Sequence, residues 1–162
     1  MIEWKDLPVV NMTLSDCTYV CSRMREDDYQ ETSSLTFDKT REAIAKTIIN
    51  QFGESYTILN SNNEPVLIGG TYYDNPKVAT IWLLATDKIS KKDWWVTTKF
   101  IKGLIERMLE DGTAGRIQAL SIGWRDVAHK WLQLIGLKKE GHLKGFSEQD
   151  GHDVLIFGKV KE

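Results

Sequence analysis

Two apolar runs, VATIWLLATD (78–87) and RIQALSIGW (116–124), are separated by a stretch from about Lys92 to Glu110 with bulky residues at helical spacing. Trp95, Phe100, Ile101, Leu104, Ile105, Met108 and Leu109 carry the stripe, and EDGTAG ends it. Strand, long helix, strand is a crossover, and a crossover permits parallel pairing of the two strands. The first run is apolar enough at its centre to be covered on both faces, so helices are expected on each side of the sheet.

Upstream of the crossover the period changes to two. SYTILNSNNEPVLIGGTYY (55–73) reads as two strands joined at NSNNEP, an antiparallel hairpin. SLTFDKTREAIAKTIINQFG predicts a helix with Ile44, Ile48 and Phe52 on one stripe, Ala45 and Ile49 beside it, and Gly53 as a stop. REDDYQETSSL predicts a short helix with acidic residues at its N-terminal end, as the helix dipole favours. CTYVCSRM (17–24) alternates and is rich in strand formers, which predicts the first strand. Downstream, DVAHKWLQLIG (126–136) predicts a helix that buries Val127, Trp131 and Leu134, and LKKEGHLKGF and DVLIFGKV predict two closing strands around SEQDG. The expected fold is one α/β (α+β) domain over 1–162, with a mixed, mostly antiparallel sheet of about seven strands and helices on both faces.

With a net charge of −2 and a pI near 6.0, no basic field recruits nucleic acid or an anionic membrane. Cys17 and Cys21 have no second cysteine pair and no nearby histidine, so their spacing builds no zinc site, and no metal is expected. On a strand both would face one way, as reduced core or half-core residues of an intracellular protein. MIEWKDLPVVNMTL lacks the basic-then-apolar pattern of a signal peptide, and no apolar stretch nears the roughly 20 residues of a membrane span.

The order of elements, with the block SIGWRDVAHKWLQLIGLKKEGHLKGFSEQDGHDVLIF, resembles the GNAT acetyltransferase fold. Ala128, Trp131, Leu132, Gly136 and Leu137 stand at the positions of that family's short late helix, and KKEGHL stands where many members have xxEGxL. A narrower similarity is to the small internal virion proteins of short-tailed phages. It is carried by EPVLIGG (64–70), by a strand ending ATD before a helix rich in bulky and basic residues, and by AHKWLQLIG followed by a strand and a DG turn.

The GNAT resemblance implies a diphosphate of acetyl-coenzyme A at the turn after 78–87, where members resemble [QR]-x-x-G-x-[GA]. The glycines of such a turn let consecutive N–H groups approach the anion. Here the stretch is DKISKKDWWVTTKF, with no glycine between Gly70 and Gly103. Either Ser90 or Asp93 only caps a helix and the lysines are solvated, or Ser90, Lys91, Lys92 and the helix N-terminus hold the diphosphate by charge. Leu84, Thr86 and Trp131 complete the cofactor-binding set implied by the resemblance. Many members also use a late tyrosine as donor to the departing thiolate, and no tyrosine follows Tyr73.

A base is needed to deprotonate an acceptor amine. Glu140 is one candidate, with an ion pair to Lys138 or Lys144 as its structural alternative, and His129 is another; Ser121 or a water is the candidate donor to the thiolate in place of the missing tyrosine. His142 and His152 fall on a hairpin that brings them near one another. Gly69 and Gly70, inside a strand, mark a bulge or a close backbone approach. Either Trp82, Trp124 and Trp131 fill the opening between 78–87 and 116–124, or Trp94 and Trp4 form an exposed patch for a protein partner.

Two functions follow from the resemblances. The first is an internal virion or assembly-associated protein, in the host cytoplasm and the virion interior, with virion or host proteins as partners, no cofactor and no efficient acetyl transfer. The alternative is an acetyl-coenzyme A dependent N-acetyltransferase with an atypical diphosphate turn, acting on a host protein or a small amine. A host-directed inhibitor or other binding module is the third class.

Overall fold

The computed structural model describes residues 6–149 and 151–162. Its strands are β1 (Val9–Asn11), β2 (Ser55–Leu59), β3 (Pro65–Asn75), β4 (Val78–Ala85), β5 (Arg116–Ile122), β6 (Lys138–Leu143) and β7 (Val154–Val160). Its helices are α1 (Leu14–Arg23), α2 (Glu26–Leu35), α3 (Arg41–Ile49), α4 (Lys91–Glu110) and α5 (Asp126–Leu134). The strands form one sheet in the order β1-β2-β3-β4-β5-β7-β6, in which every pairing is antiparallel except β4 with β5. The crossover helix α4 therefore does what its position between the two apolar runs predicts.

Strand alternation separates the two faces. Ala79, Ile81, Leu83 and Ala85 of β4 join the core beneath α4 and α5, which includes Phe100, Leu104, Ile105, Met108, Leu132, Ile135 and Phe157. Trp82 and Leu84 of the same strand join Cys17, Val20, Cys21, Met24, Ile44, Ala45 and Ile48 of the α1 and α3 face. Parallel pairing of β4 with β5 covers only Val78, Ala79 and Thr80 against Arg116, Ile117 and Gln118. Past Thr80 and Gln118 the strands part, leaving a wedge in the middle of the sheet.

The first predicted strand, 17–24, is instead helix α1, and the first strand of the sheet is β1. Cys17, Val20, Cys21 and Met24 are spaced i, i+3, i+4, i+7, one face of a helix, and all four are buried. Thr13 and Asp16 form a capping box, each side chain bonded to the other's backbone N–H at 3.1 and 3.0 Å. Asp16 also accepts from Thr57 of β2 at 2.9 Å, which ties the cap to the sheet. Thr13→Ala should lower the unfolding free energy by about 1 kcal/mol, read by urea denaturation. The cysteines are buried and free, one turn apart; the hydrogen bond with Cys17 and burial push the Cys21 thiol up, away from thiolate.

Other expectations shift in detail. Helix α3 stops at Ile49, so Phe52 is 83% exposed and off the stripe, and Ile49 is exposed as well. On α5 the buried positions are Leu132 and, just past its end, Ile135, while Val127 and Leu134 are exposed and Trp131 is partly buried. The sets 127, 131, 134 and 128, 132, 135 have the same spacing, so periodicity cannot choose between them. Trp95 likewise turns outward from the α4 stripe, at 46% exposure.

Candidate functional site

A cavity of about 930 Å³ occupies the wedge. It is lined from β4 by Ile81, Trp82, Leu83 and Leu84, and from β5 by Ala119, Leu120 and Ser121. Ile44 and Ile48 of α3 border it on one face of the sheet, and Trp94, Ile101, Trp131 and Leu132 on the other. That size lies at the upper end of the range for ligand sites. The tryptophans therefore line the opening and do not fill it. Trp94 is no exposed patch: it packs edge-on against Trp131, ring centroids 6.2 Å apart, and Arg25 lies over it at 5.0 Å. Trp4 lies outside the described residues.

One end of the wedge is stapled by α2. Asp28 and Glu31, three residues apart on that helix, each hold one of the parted strands. Asp28 accepts from the Ala85 N–H at the end of β4 at 2.9 Å, and Glu31 accepts from the Ile122 N–H at the end of β5 at 2.8 Å. Arg125 spans them, 2.9 Å from each carboxylate, and Arg25 adds a two-pronged contact to Asp28 at 3.0 and 3.1 Å. Asp28 is 1% exposed, and two guanidinium groups and an amide supply the hydrogen bonds that its burial requires. Burial pushes the Glu31 carboxyl up, Arg125 and the Ile122 amide pull it back only in part, and Asp28 adds to the rise.

In the turn before α4, Ser90 is the N-cap of the helix. Ser90 and Asp93 make a capping box at 3.1 and 2.8 Å, with Asp93 5% exposed, and Lys91 and Lys92 are exposed. Asp93 places a carboxylate beside the helix N-terminus, which disfavours a second anion there. The Lys91 and Lys92 backbone N–H groups, first in the helix, remain outside the capping box. Leu84 and Trp131 line the cavity, and the Trp131 indole N–H donates to Thr98 at 2.9 Å. Thr86 does not line it; its side chain is 3% exposed and its buried hydroxyl has no hydrogen-bond partner among the described residues.

Of the three candidate catalytic residues, Ser121, the candidate thiolate donor, borders the cavity, buried and 3.4 Å from Glu31, and Glu140 and His129 do not. Glu140 forms a forked pair with Arg116 at 3.1 and 2.7 Å, not with Lys138 or Lys144, and the Arg116 hydrogen bond holds its carboxyl below the usual range. His129 is bonded through Nε2 to the Ile122 carbonyl at 3.0 Å and packs against Phe157, away from the cavity lining. His142 pairs with Asp153 at 2.5 Å, and His152 borders the same shallow recess. Among the described residues no group of three or more His, Cys, Asp or Glu is placed to hold a metal, and no helix is long and apolar enough to cross a membrane. Gly69 and Gly70 mark close approach rather than a bulge: a Cβ at Gly70 would stand 1.9 Å from the Glu54 carbonyl oxygen.

Sequence reading missed Glu31, Asp28 and Arg125. The acidic residues of α2 fit the dipole rule, so nothing local asked for a further partner. The partner of Glu31 is 94 positions away.

No known protein family matches the chain by sequence, and no curated protein does. Solved structures do match by fold. RimL, the ribosomal L7/L12 alpha-N-protein acetyltransferase in complex with coenzyme A, superposes with a TM-score of 0.74 at 13% identity, covering 94% of this chain and 92% of that one. A ribosomal-protein-alanine N-acetyltransferase from Brucella melitensis gives 0.72 at 14%, covering 95% and 99%. A spermidine N-acetyltransferase from Vibrio cholerae gives 0.70 at 12%, covering 96% and 95%. The chain has the GNAT fold.

Proposed function

We propose that this chain is an acyl-coenzyme A dependent N-acyltransferase, with acetyl-coenzyme A as the donor to test first. One observation carries the reading: the wedge between β4 and β5 holds an open cavity of about 930 Å³ where a filled core would have ended the chemistry. A narrow arm bearing amides suits a slot whose walls are two strand edges released from each other. Leu84 and Trp131 would flank that arm, and Lys91, Lys92 and the first N–H groups of α4 would face the diphosphate. Bound acyl-coenzyme A supplies an activated thioester carbonyl. The neighbouring acetyltransferase structures, one with coenzyme A bound, support the same assignment.

A second reading is favoured by the glycine-free turn and the buried Asp93 beside it. In it the fold persists without acetyl transfer, and the chain serves as an internal virion or assembly protein in a host cytoplasm or particle, bound to virion or host proteins. The quoted structures are all acetyltransferases and do not speak for it.

Calorimetric titration with acetyl-coenzyme A and coenzyme A decides between them. The transferase reading expects binding in the micromolar range, weakened about tenfold, or ~1.4 kcal/mol, in the Lys91→Ala, Lys92→Ala double variant. No heat at millimolar ligand overturns it.

A further inference from the structure

The N-acyltransferase reading lacks a proton acceptor, because Glu140 and His129 are engaged away from the cavity and Ser121 is no base by itself. We propose that Glu31 is the general base that deprotonates the acceptor amine. The assignment rests on that reading of the cavity.

Glu31 lines the cavity at the parted end of β5. Its neighbour Asp28 is better buried but has no capacity left: Oδ1 accepts from Arg25 and Arg125, and Oδ2 from Arg25 and the Ala85 N–H. Those four bonds use the roughly four lone-pair sites of a carboxylate. Glu31 differs at one atom. Oε2 accepts from the Ile122 N–H at 2.8 Å and the Ser121 hydroxyl at 3.4 Å, whereas among the described residues Oε1 accepts only from Arg125 at 2.9 Å. One lone pair of Oε1 is thus open on a carboxylate held in place from two sides. The other lining carboxylates, Asp27, Asp38 and Asp126, are not held this way; Asp126 is 88% exposed.

The groups that set its proton affinity are Arg125 and the Ile122 amide, which favour the anion, and burial and Asp28, which oppose it; the balance is upward. A raised carboxyl is better matched to taking a proton near neutral pH. In the step, Oε1 takes one proton from the ammonium of the acceptor. The freed nitrogen pair forms the C–N bond to the thioester carbonyl carbon, and the C–S bond breaks. A second proton of that nitrogen goes to the departing thiolate, leaving amide, thiol and a proton on Glu31 that returns to water.

The test compares wild type with Glu31→Gln. Coenzyme A affinity by calorimetry should agree within about twofold. Transfer from acetyl-coenzyme A to a panel of n-butylamine, spermidine, Nα-acetyl-lysinamide and a short peptide with a free N-terminus should fall about 100-fold or more. The acid limb of the wild-type pH profile of kcat/KM should vanish. Carbon-13 titration of the glutamate carboxyls in the unliganded protein should place Glu31 above the ordinary glutamate range. Transfer by Glu31→Gln at the wild-type rate, or ordinary titration of Glu31, overturns the base and leaves the transferase standing. Wild type that fails to bind coenzyme A, or binds it and transfers to no amine of the panel, overturns the transferase and the base with it.

Discussion

Arg125→Met should lower the unfolding free energy by about 3–5 kcal/mol at pH 7 in urea denaturation. The side chain is 13% exposed and joins Asp28, 1% exposed, to Glu31. Removing it leaves Asp28 with Arg25 and one amide, and Glu31 with no paired cation among the described residues. An uncompensated buried carboxylate is among the largest single costs a substitution can impose. The loss should shrink as pH falls, and the sign follows from Glu31. A carboxyl whose folded pKa is raised binds more protons in the folded state, so stability is lost as pH rises from the unfolded value through the folded one. Without Arg125 that rise is larger, and in acid the neutral carboxyl no longer needs the cation. A penalty that is flat from pH 7 to pH 4 would mean that the arginine acts by packing rather than charge.

Gly70→Ala should cost about 3 kcal/mol or abolish folding, since even ordinary overpacking of a core costs roughly 1–3 kcal/mol. The new Cβ would meet the Glu54 carbonyl oxygen at 1.9 Å and the Ser55 Cα at 2.9 Å, both backbone atoms that no rotamer change can move aside. Ser55 pairs with Gly70 across β2 and β3, so relief requires that end of the hairpin to open. Gly103→Ala is the internal control, because a Cβ there meets nothing within 4 Å and Ala is the better helix former. It should be neutral or slightly stabilising. Equal losses in the two variants would remove the close approach as the explanation.

The crossover was legible because a buried strand and a one-sided helix differ in period over many residues, and the parallel pairing of β4 and β5 follows from that difference. The hairpin of β2 and β3 was legible from its turn residues. Helix α1 was misread because CTYVCSRM satisfies a strand's composition and puts Cys17 and Cys21 on one face in either period, while the Thr13 to Asp16 box that favours the helix begins outside the window. The buried side of α5 was undetermined because two equivalent stripes compete for it, and packing against β5 and β6 chose the one with Leu132.

The sequence by itself determined the order and type of most elements, the absence of a glycine-lined turn before α4, and the missing late tyrosine, since each is a property of neighbouring residues. Only the tertiary structure decided that β4 and β5 part after three pairs, that tryptophans border the opening instead of closing it, and that Glu31 reaches the edge of β5. The last of these brings Arg125, Asp28, Glu31 and Ile122 together across as many as 97 positions of chain. Charge pairing at that separation leaves no period or spacing in the sequence, because the contact is set by where the sheet places the strand ends.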